Sequence, residues 1–162
     1  YVIARPHNVY GPKQNMTDPY RNVVTIFMNA KMGNEPYFIY GNGEQRRCFS
    51  YVDDVVEALY KCGFDDVAGE TFNIGSDKDY TINELSDIIG GSVKHIRERV
   101  QEVEVAISDH GQAKKFLNYE DRTSLKDGIA KTWLWALEKG HQKPIYDKLE
   151  IINDNVPKNW LK

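Results

Sequence analysis

A mixed α/β fold is what three features of the 162-residue sequence predict. Short β-branched and aromatic runs of strand length recur at residues 1–4, 37–40 and 71–74. Between them lie stretches with apolar residues at helical spacing, bounded by capping residues and glycines. Strand–helix–strand alternation is not sustained, so a small α/β domain fits better than a full doubly wound sheet. Composition agrees. The chain is 41% hydrophobic and 28% charged, with 21 basic against 24 acidic residues and a net charge of −3. That suffices for one substantial core and is too apolar for disorder. It is too acidic for nucleic-acid binding through bulk charge. No apolar run approaches the roughly 18–20 residues of a membrane span.

The elements follow in order. Residues 1–4 read as a short buried strand, and residues 5–19 as a loop rich in Pro, Asn, Gly and Asp. A helix is expected over 22–31, because Val23, Ile26, Phe27 and Ala30 fall on one face. It ends at Gly33-Asn34. Residues 37–40 and 46–50 read as two strands joined by a Gly41-Asn42-Gly43 hairpin turn. Ser50-x-x-Asp53 resembles a capping box that opens a helix to about residue 62. Residues 71–74 form a strand, and Thr81-x-x-Glu84 caps a helix that stops at Gly90-Gly91. Residues 93–105 alternate and read as extended. A short helix is expected over 108–117. Ser124-x-x-Asp127 caps a long helix to about residue 139, with Ile129, Trp133, Ala136 and Leu137 on its inner face. Residues 1–140 therefore form the domain, and 141–162 a peripheral tail.

Cys48 and Cys62 make no C-x-x-C pair and read as reduced thiols of a cytoplasmic protein. The four histidines, His7, His95, His110 and His141, have no metal-ligand spacing, and no metal site is expected. The chain opens on Tyr1 directly into a strand-like run, which points to a piece of something longer and to no signal peptide.

Dinucleotide binding needs a glycine-rich turn between strand and helix. The one G-x-G, at Gly41 and Gly43, has Arg46 in the sixth place and a strand after it. There is no P-loop and no nucleophile-elbow signature. The polar candidates are arginines. Arg46 and Arg47 are adjacent on a strand and should face opposite ways. Arg97 and Arg99 are two apart in an extended stretch and should share a face. Two arginines from distant segments meeting at one point would suit a diphosphate, since each offers a rigid fork of donors. Taken alone, each residue has a plainer role. A lone arginine is a surface residue, Asn8 a turn residue, and Asp53 and Asp54 complement a helix dipole. Phe38 and Tyr40 pack a core. Trp133 and Trp135 face different ways on one helix.

In combination these segments resemble a known family. Arg5-Pro6-His7-Asn8-Val9-Tyr10-Gly11-Pro12 resembles the R-P-x-N-x-Y-G-P signature of the extended short-chain dehydrogenase/reductases, the nucleotide-sugar epimerases, 4,6-dehydratases and decarboxylases. The run from Tyr40-Gly41-Asn42-Gly43 through Arg46-Arg47-Cys48-Phe49 to Val52-Asp53-Asp54-Val55 resembles that family's Y-G-D-G-x-Q-x-R-D-F-x-Y-V-D-D-V block. Phe72-Asn73-Ile74-Gly75-Ser76 resembles its Y-N-I-G-S/G block. Ser108-Asp109, Ala113-Lys114, Leu117 and the Trp133 helix resemble its closing segment. Each block is weak alone; four in the right order, over about residues 1–140, are specific.

The resemblance implies the C-terminal, substrate-binding lobe of such an enzyme together with the last strands of its Rossmann sheet. The family's Tyr-x-x-x-Lys catalytic pair is missing, because none of the ten tyrosines has Lys four residues on. No catalytic residue is therefore expected here. NAD would be held mainly by an N-terminal domain, with Pro6 passing the nicotinamide. Carried over position by position, Asn8 would hydrogen-bond the substrate's phosphate or sugar, and Arg47 and Arg99 would contact the diphosphate. Glu102 would take the ribose hydroxyls, and Phe38 and Tyr40 would hold the base. Cys48 stands where the family usually has Asp. The implied activity is that of a UDP-sugar 4-epimerase, by hydride abstraction and return at C4, in an enzyme expected to be a homodimer. This chain by itself would be inactive. The alternatives are a dTDP- or GDP-sugar 4,6-dehydratase and a non-catalytic nucleotide-sugar-binding module.

Overall fold

The computed structural model describes residues 1–64 and 66–146. The strands are β1 (Ile3–Pro6), β2 (Val9–Tyr10), β3 (Tyr37–Tyr40), β4 (Arg46–Cys48), β5 (Ser50–Tyr51), β6 (Thr71–Ile74), β7 (Asp79–Thr81), β8 (Val93–Ile96) and β9 (Val105–Ala106). The helices are α1 (Val23–Met32), α2 (Val52–Phe64), α3 (Ile82–Ile89), α4 (Gly111–Leu117) and α5 (Leu125–Lys139). None of the described helices is long and apolar enough to cross a membrane.

Parallel pairing dominates. β1 runs beside β6 with Ile3 opposite Thr71 and Pro6 opposite Ile74. β2 pairs with β5, and β3 with β8. β4 lies between antiparallel β7 and parallel β9. Two cores result. One gathers Tyr10, Met28, Tyr37, Ile39, Leu85 and Ile129 between α1, α3, α5 and the strands they cover. The other joins Val55, Phe72, Ile74, Ala113 and Leu117 under α2 and α4. In the first, Phe27 stacks on Tyr37 with ring centroids 4.1 Å apart, a contact worth about 0.5–1.5 kcal/mol beyond its burial.

Helix ends follow the local signals. Asn22 caps α1 by accepting from Val24 N, and Gly33 N donates back to Asn29 O to close it. Thr81 and Glu84 form the expected reciprocal capping box of α3. Ser124 Oγ accepts from Asp127 N at the start of α5.

Long-range contacts overrule other expectations. The Gly41-Asn42-Gly43 turn is not a hairpin, because β3 and β4 pair with different strands. The Asn83 amide donates to Asn42 O at 2.9 Å, and Asn83 N donates to Gly43 O at 3.1 Å. The turn is thereby tied to the start of α3, and the chain leaves β3 for another sheet. Gly43 has φ +79, and a Cβ there would lie 2.0 Å from Asn83 Oδ1, so both conformation and space require glycine.

Ser50 caps nothing. Its hydroxyl donates to His7 O at 2.7 Å and accepts from Ser76 N at 3.1 Å, stitching three segments together. Residues 97–104 break the expected long extended run between β8 and β9, with Gln101 at φ 62. Arg97 is exposed while Arg99 is half-buried, so the two do not share an environment. Leu137 is 53% exposed rather than inward, and the strand at the N-terminus is open to solvent, with Tyr1 89% and Ile3 41% exposed. Among the described residues β1 has a partner on one edge alone.

Residues 141–146, expected in a peripheral tail, run back against α1. The remainder of that expected tail lies outside the described residues.

Candidate nucleotide-sugar site

A cleft of about 690 Å³ opens between α1, β3, β4 and the segment that follows β8. Asn8, Phe38, Tyr40, Arg47, Arg99 and Glu102, the six residues expected at a substrate site, all line it. They reach it from four separate parts of the chain, so the convergence belongs to the fold.

Glu102 organises the cationic end. Arg47 Nη2 donates to Glu102 Oε1 at 2.8 Å. Arg99 Nε stands 2.9 Å from Glu102 Oε2, an ion pair whose N–H is not aligned for a hydrogen bond. A turn brings this about, because Glu102 N donates to Arg99 O at 3.3 Å. Arg47 is steadied further by its own strand, through Nη1 donating to Arg46 O at 2.8 Å. The Arg99 guanidinium lies 4.2 Å from the centre of the Tyr40 ring, at cation–π distance. Two guanidinium groups against one carboxylate leave an excess positive charge at one spot, the electrostatic requirement for an anion such as a diphosphate.

Strand alternation sets this geometry. Tyr37 and Ile39 point into the core, 2% and 1% exposed, which leaves Phe38 and Tyr40 on the cleft side. On β4, Arg47 turns to the cleft. Arg46 turns away, pairing with the Asp79 carboxylate and lying 3.9 Å from Glu84. Asn8 has a left-handed backbone, φ 39, and its amide donates to Cys48 O at 2.9 Å. It thus acts as the turn residue expected of a lone Asn while facing the cleft. Cys48, where an Asp was expected, is fully buried, and burial pushes its thiol pKa up. The partner that holds Arg47 is Glu102. Pro6 ends β1, exposed and outside the cleft lining.

His7, beside Asn8, carries an imidazole held below its ordinary 6.5 by burial, then by the Arg47 charge and by His110. Neither Cys48 nor Cys62 forms a disulfide.

Sequence reasoning missed part of the lining. Asn22, Gln45, and His141, Pro144 and Tyr146 also border the cleft. Gln45 lies inside a matched block, and its amide donates to Tyr40 O at 3.0 Å. The residues after α5 carry no comparable signal.

The profile of the GDP-mannose 4,6 dehydratase family matches residues 1–132. A UDP-glucose 4-epimerase from Mycolicibacterium smegmatis is 33% identical over 135 residues, covering 78% of this chain and 42% of that protein. A UDP-N-acetyl-alpha-D-glucosaminuronate decarboxylase from Bacillus cytotoxicus is 30% identical over 149 residues, covering 85% and 46%. The chain thus spans just under half the length of these relatives. Among solved structures, a UDP-glucose 4-epimerase with UDP-glucose from Thermotoga maritima superposes with a TM-score of 0.74 at 34% identity, over 86% of this chain and 46% of that one. A UDP-glucuronic acid 4-epimerase from Bacillus cereus, in complex with UDP-glucuronic acid and NAD, gives 0.73 at 25% identity, over 83% and 44%. With the sequence blocks, the fold and the profile in agreement, the chain belongs to the GDP-mannose 4,6 dehydratase-like family of NAD-dependent nucleotide-sugar enzymes, extended short-chain dehydrogenase/reductases whose C-terminal part it matches.

Proposed function

We propose that this chain is the nucleotide-sugar-binding part of a UDP-sugar 4-epimerase. The observation that carries the reading is the meeting of Arg47 and Arg99 on Glu102 beside Phe38 and Tyr40, in one cleft. The two guanidinium groups grip the diphosphate, and the Glu102 carboxylate accepts from the ribose hydroxyls. Phe38 and Tyr40 offer ring faces to the base. Asn8, on the same cleft, donates to a phosphate or sugar oxygen. Anchoring the UDP end while leaving the sugar free to turn is what epimerisation at C4 asks of a binding lobe.

NAD supplies a hydride acceptor in this family. The residues present do not by themselves make a dinucleotide site, since no strand-to-helix glycine turn exists in the sequence. The chain's part in the reaction is therefore substrate anchoring.

A 4,6-dehydratase is the second reading, favoured by the family profile. Proton NMR of UDP-glucose incubated with NAD and the whole enzyme of which this chain is the proposed binding part separates the two. Appearance of the C4 epimer supports the proposal. Loss of the C6 hydroxyl, or release of carbon dioxide from UDP-glucuronic acid, would replace it with a dehydratase or a decarboxylase.

A further inference from the structure

Resting on the nucleotide-sugar reading above, we propose that Gln45 is a positioning residue of the cleft. It clamps the strand that carries Arg47 to the ring on which Arg99 lies, and so fixes the spacing of the two guanidinium groups for a diphosphate.

β3 and β4 belong to different sheets, so no ladder bond joins the strand that carries Tyr40 to the strand that carries Arg47. On β3, Tyr37 N donates to Ser92 O and Gly41 N donates to Ile96 O, both on the β8 side. Backbone groups alternate between the two edges of a strand, so the Tyr40 carbonyl turns to the other edge. That edge has no strand partner among the described residues. The Gln45 side chain takes the place of one, its Nε2 donating to Tyr40 O at 3.0 Å. Gln45 O accepts from Ile82 N at 3.2 Å, which anchors the residue to the start of α3. The next residue opens β4, where Arg46 N donates to Glu104 O at 2.7 Å. Gln45 borders the cleft together with Tyr40, Arg47 and Arg99. One side chain therefore bridges two strands that share no ladder.

The consequence lies in the arginines. The Arg99 guanidinium rests 4.2 Å from the centre of the Tyr40 ring, so the place of Tyr40 sets the place of Arg99. Arg47 stands two residues beyond Gln45. Glu102 also joins the pair, bonding Arg47 and pairing with Arg99. In the proposed complex that carboxylate is engaged by the ribose hydroxyls, while Gln45 keeps its bond to Tyr40 O. A grip on two linked phosphates needs both guanidinium forks at a fixed separation, whereas a single phosphate needs one fork. Gln45 should therefore matter more to a nucleoside diphosphate than to a monophosphate. Other groups hold the rest of the turn. The Asn83 amide donates to Asn42 O at 2.9 Å and to Glu44 Oε1 at 2.7 Å, and Asn83 lies outside the cleft lining. A change at Asn83 loosens the turn without removing a contact of Tyr40 or Arg47.

Isothermal titration with UDP and with UMP tests this on the whole enzyme of which this chain is the proposed binding part. The variants are Gln45→Met, Asn83→Ala, Arg99→Ala and the double variant of Gln45→Met with Arg99→Ala. Methionine keeps the length of Gln45 and removes its donor. Wild type should prefer UDP. Gln45→Met should lower UDP affinity about tenfold, the scale of one hydrogen bond, and UMP affinity far less. In the Arg99→Ala background the same change should cost little, because the two residues act as one unit. Asn83→Ala should lower the urea midpoint and leave the UDP-to-UMP ratio as in wild type. An unchanged ratio in Gln45→Met overturns the clamp and leaves the nucleotide reading standing. So does a loss that persists in full without Arg99, which would make Gln45 a direct ligand contact. So does an equal shift of the ratio in Asn83→Ala, which would reduce Gln45 to a support of the turn. If Asn83→Ala does not fold by circular dichroism, the cycle of Gln45 and Arg99 decides alone. A wild type that binds neither nucleotide, or prefers UMP, overturns the nucleotide-sugar reading, and the clamp with it.

Discussion

Glu102 holds two arginines at once, and its neighbours on β4 supply an internal control. Arg47 faces the cleft, whereas Arg46 faces Asp79 and Glu84 on the other side of the strand. Arg47→Ala should therefore weaken nucleotide-sugar binding by about 1.5–3 kcal/mol, the scale of a charged hydrogen bond. Arg46→Ala should change it far less. Equal losses by calorimetry would mean that strand alternation does not govern the site. His7 makes a second prediction. Its imidazole titrates below its ordinary 6.5 in the folded protein, chiefly through burial, then through Arg47 and His110. The unfolded chain then binds the proton more readily than the folded one. Stability from neutral His7 is complete above 6.5 and is lost as the pH falls through 6.5 toward the lowered value. Urea midpoints taken between about pH 8 and 5 should fall less steeply in His7→Gln than in wild type. An unaltered slope would count against this assignment.

α5 carries a glycine in its first turns that helix propensity alone disfavours by about 1 kcal/mol relative to Ala. Packing explains it. A Cβ on Gly128 would lie 2.1 Å from the Tyr10 hydroxyl and 3.0 Å from the Tyr51 ring. Tyr10 is 1% exposed, and its hydroxyl donates to Leu125 O at 3.4 Å, so it has no room to retreat. Gly128→Ala should destabilise the protein by about 1–3 kcal/mol, the usual cost of overpacking, despite the better propensity of Ala. A gain in the urea midpoint would show that Tyr10 can shift. The capping signals of α3 and α5 were readable because each is written within four residues, whereas Asn22, read as the first residue of its helix, is the cap of α1. The Gly41–Gly43 segment was misread because Asn83, some forty positions away, decides where the turn leads.

For the molecule, the open edge of β1 is the feature with the largest expected consequence. Tyr1 and Ile3 are exposed there, and Val56, Tyr60 and Phe64 form an exposed apolar stripe at i, i+4 and i+8 on α2. Unpaired strand edges and apolar patches favour association. The 162-residue chain by itself should self-associate as its concentration rises, which sedimentation equilibrium would reveal. A single monomeric species throughout would refute this. The same chain, without a glycine-rich turn or a Tyr-x-x-x-Lys pair, should not turn over UDP-glucose with added NAD. Measured turnover would place the chemistry in this chain itself.

The family and the six cleft residues were legible in the sequence because their motifs are local and occur in order. Alternation on β3 and β4 could then be read from spacing, since a strand turns its side chains over at every step. Tertiary structure decided what depends on distant partners. It chose Glu102 as the group that joins Arg47 to Arg99, with Cys48 buried beside them. It sent β3 to β8 and β4 to β7 and β9 instead of to each other. It also brought residues 141–146 back to Asn29, a contact between positions more than a hundred apart. No local pattern encodes such a pairing, because a buried amide selects its partner only once the chain has folded around it.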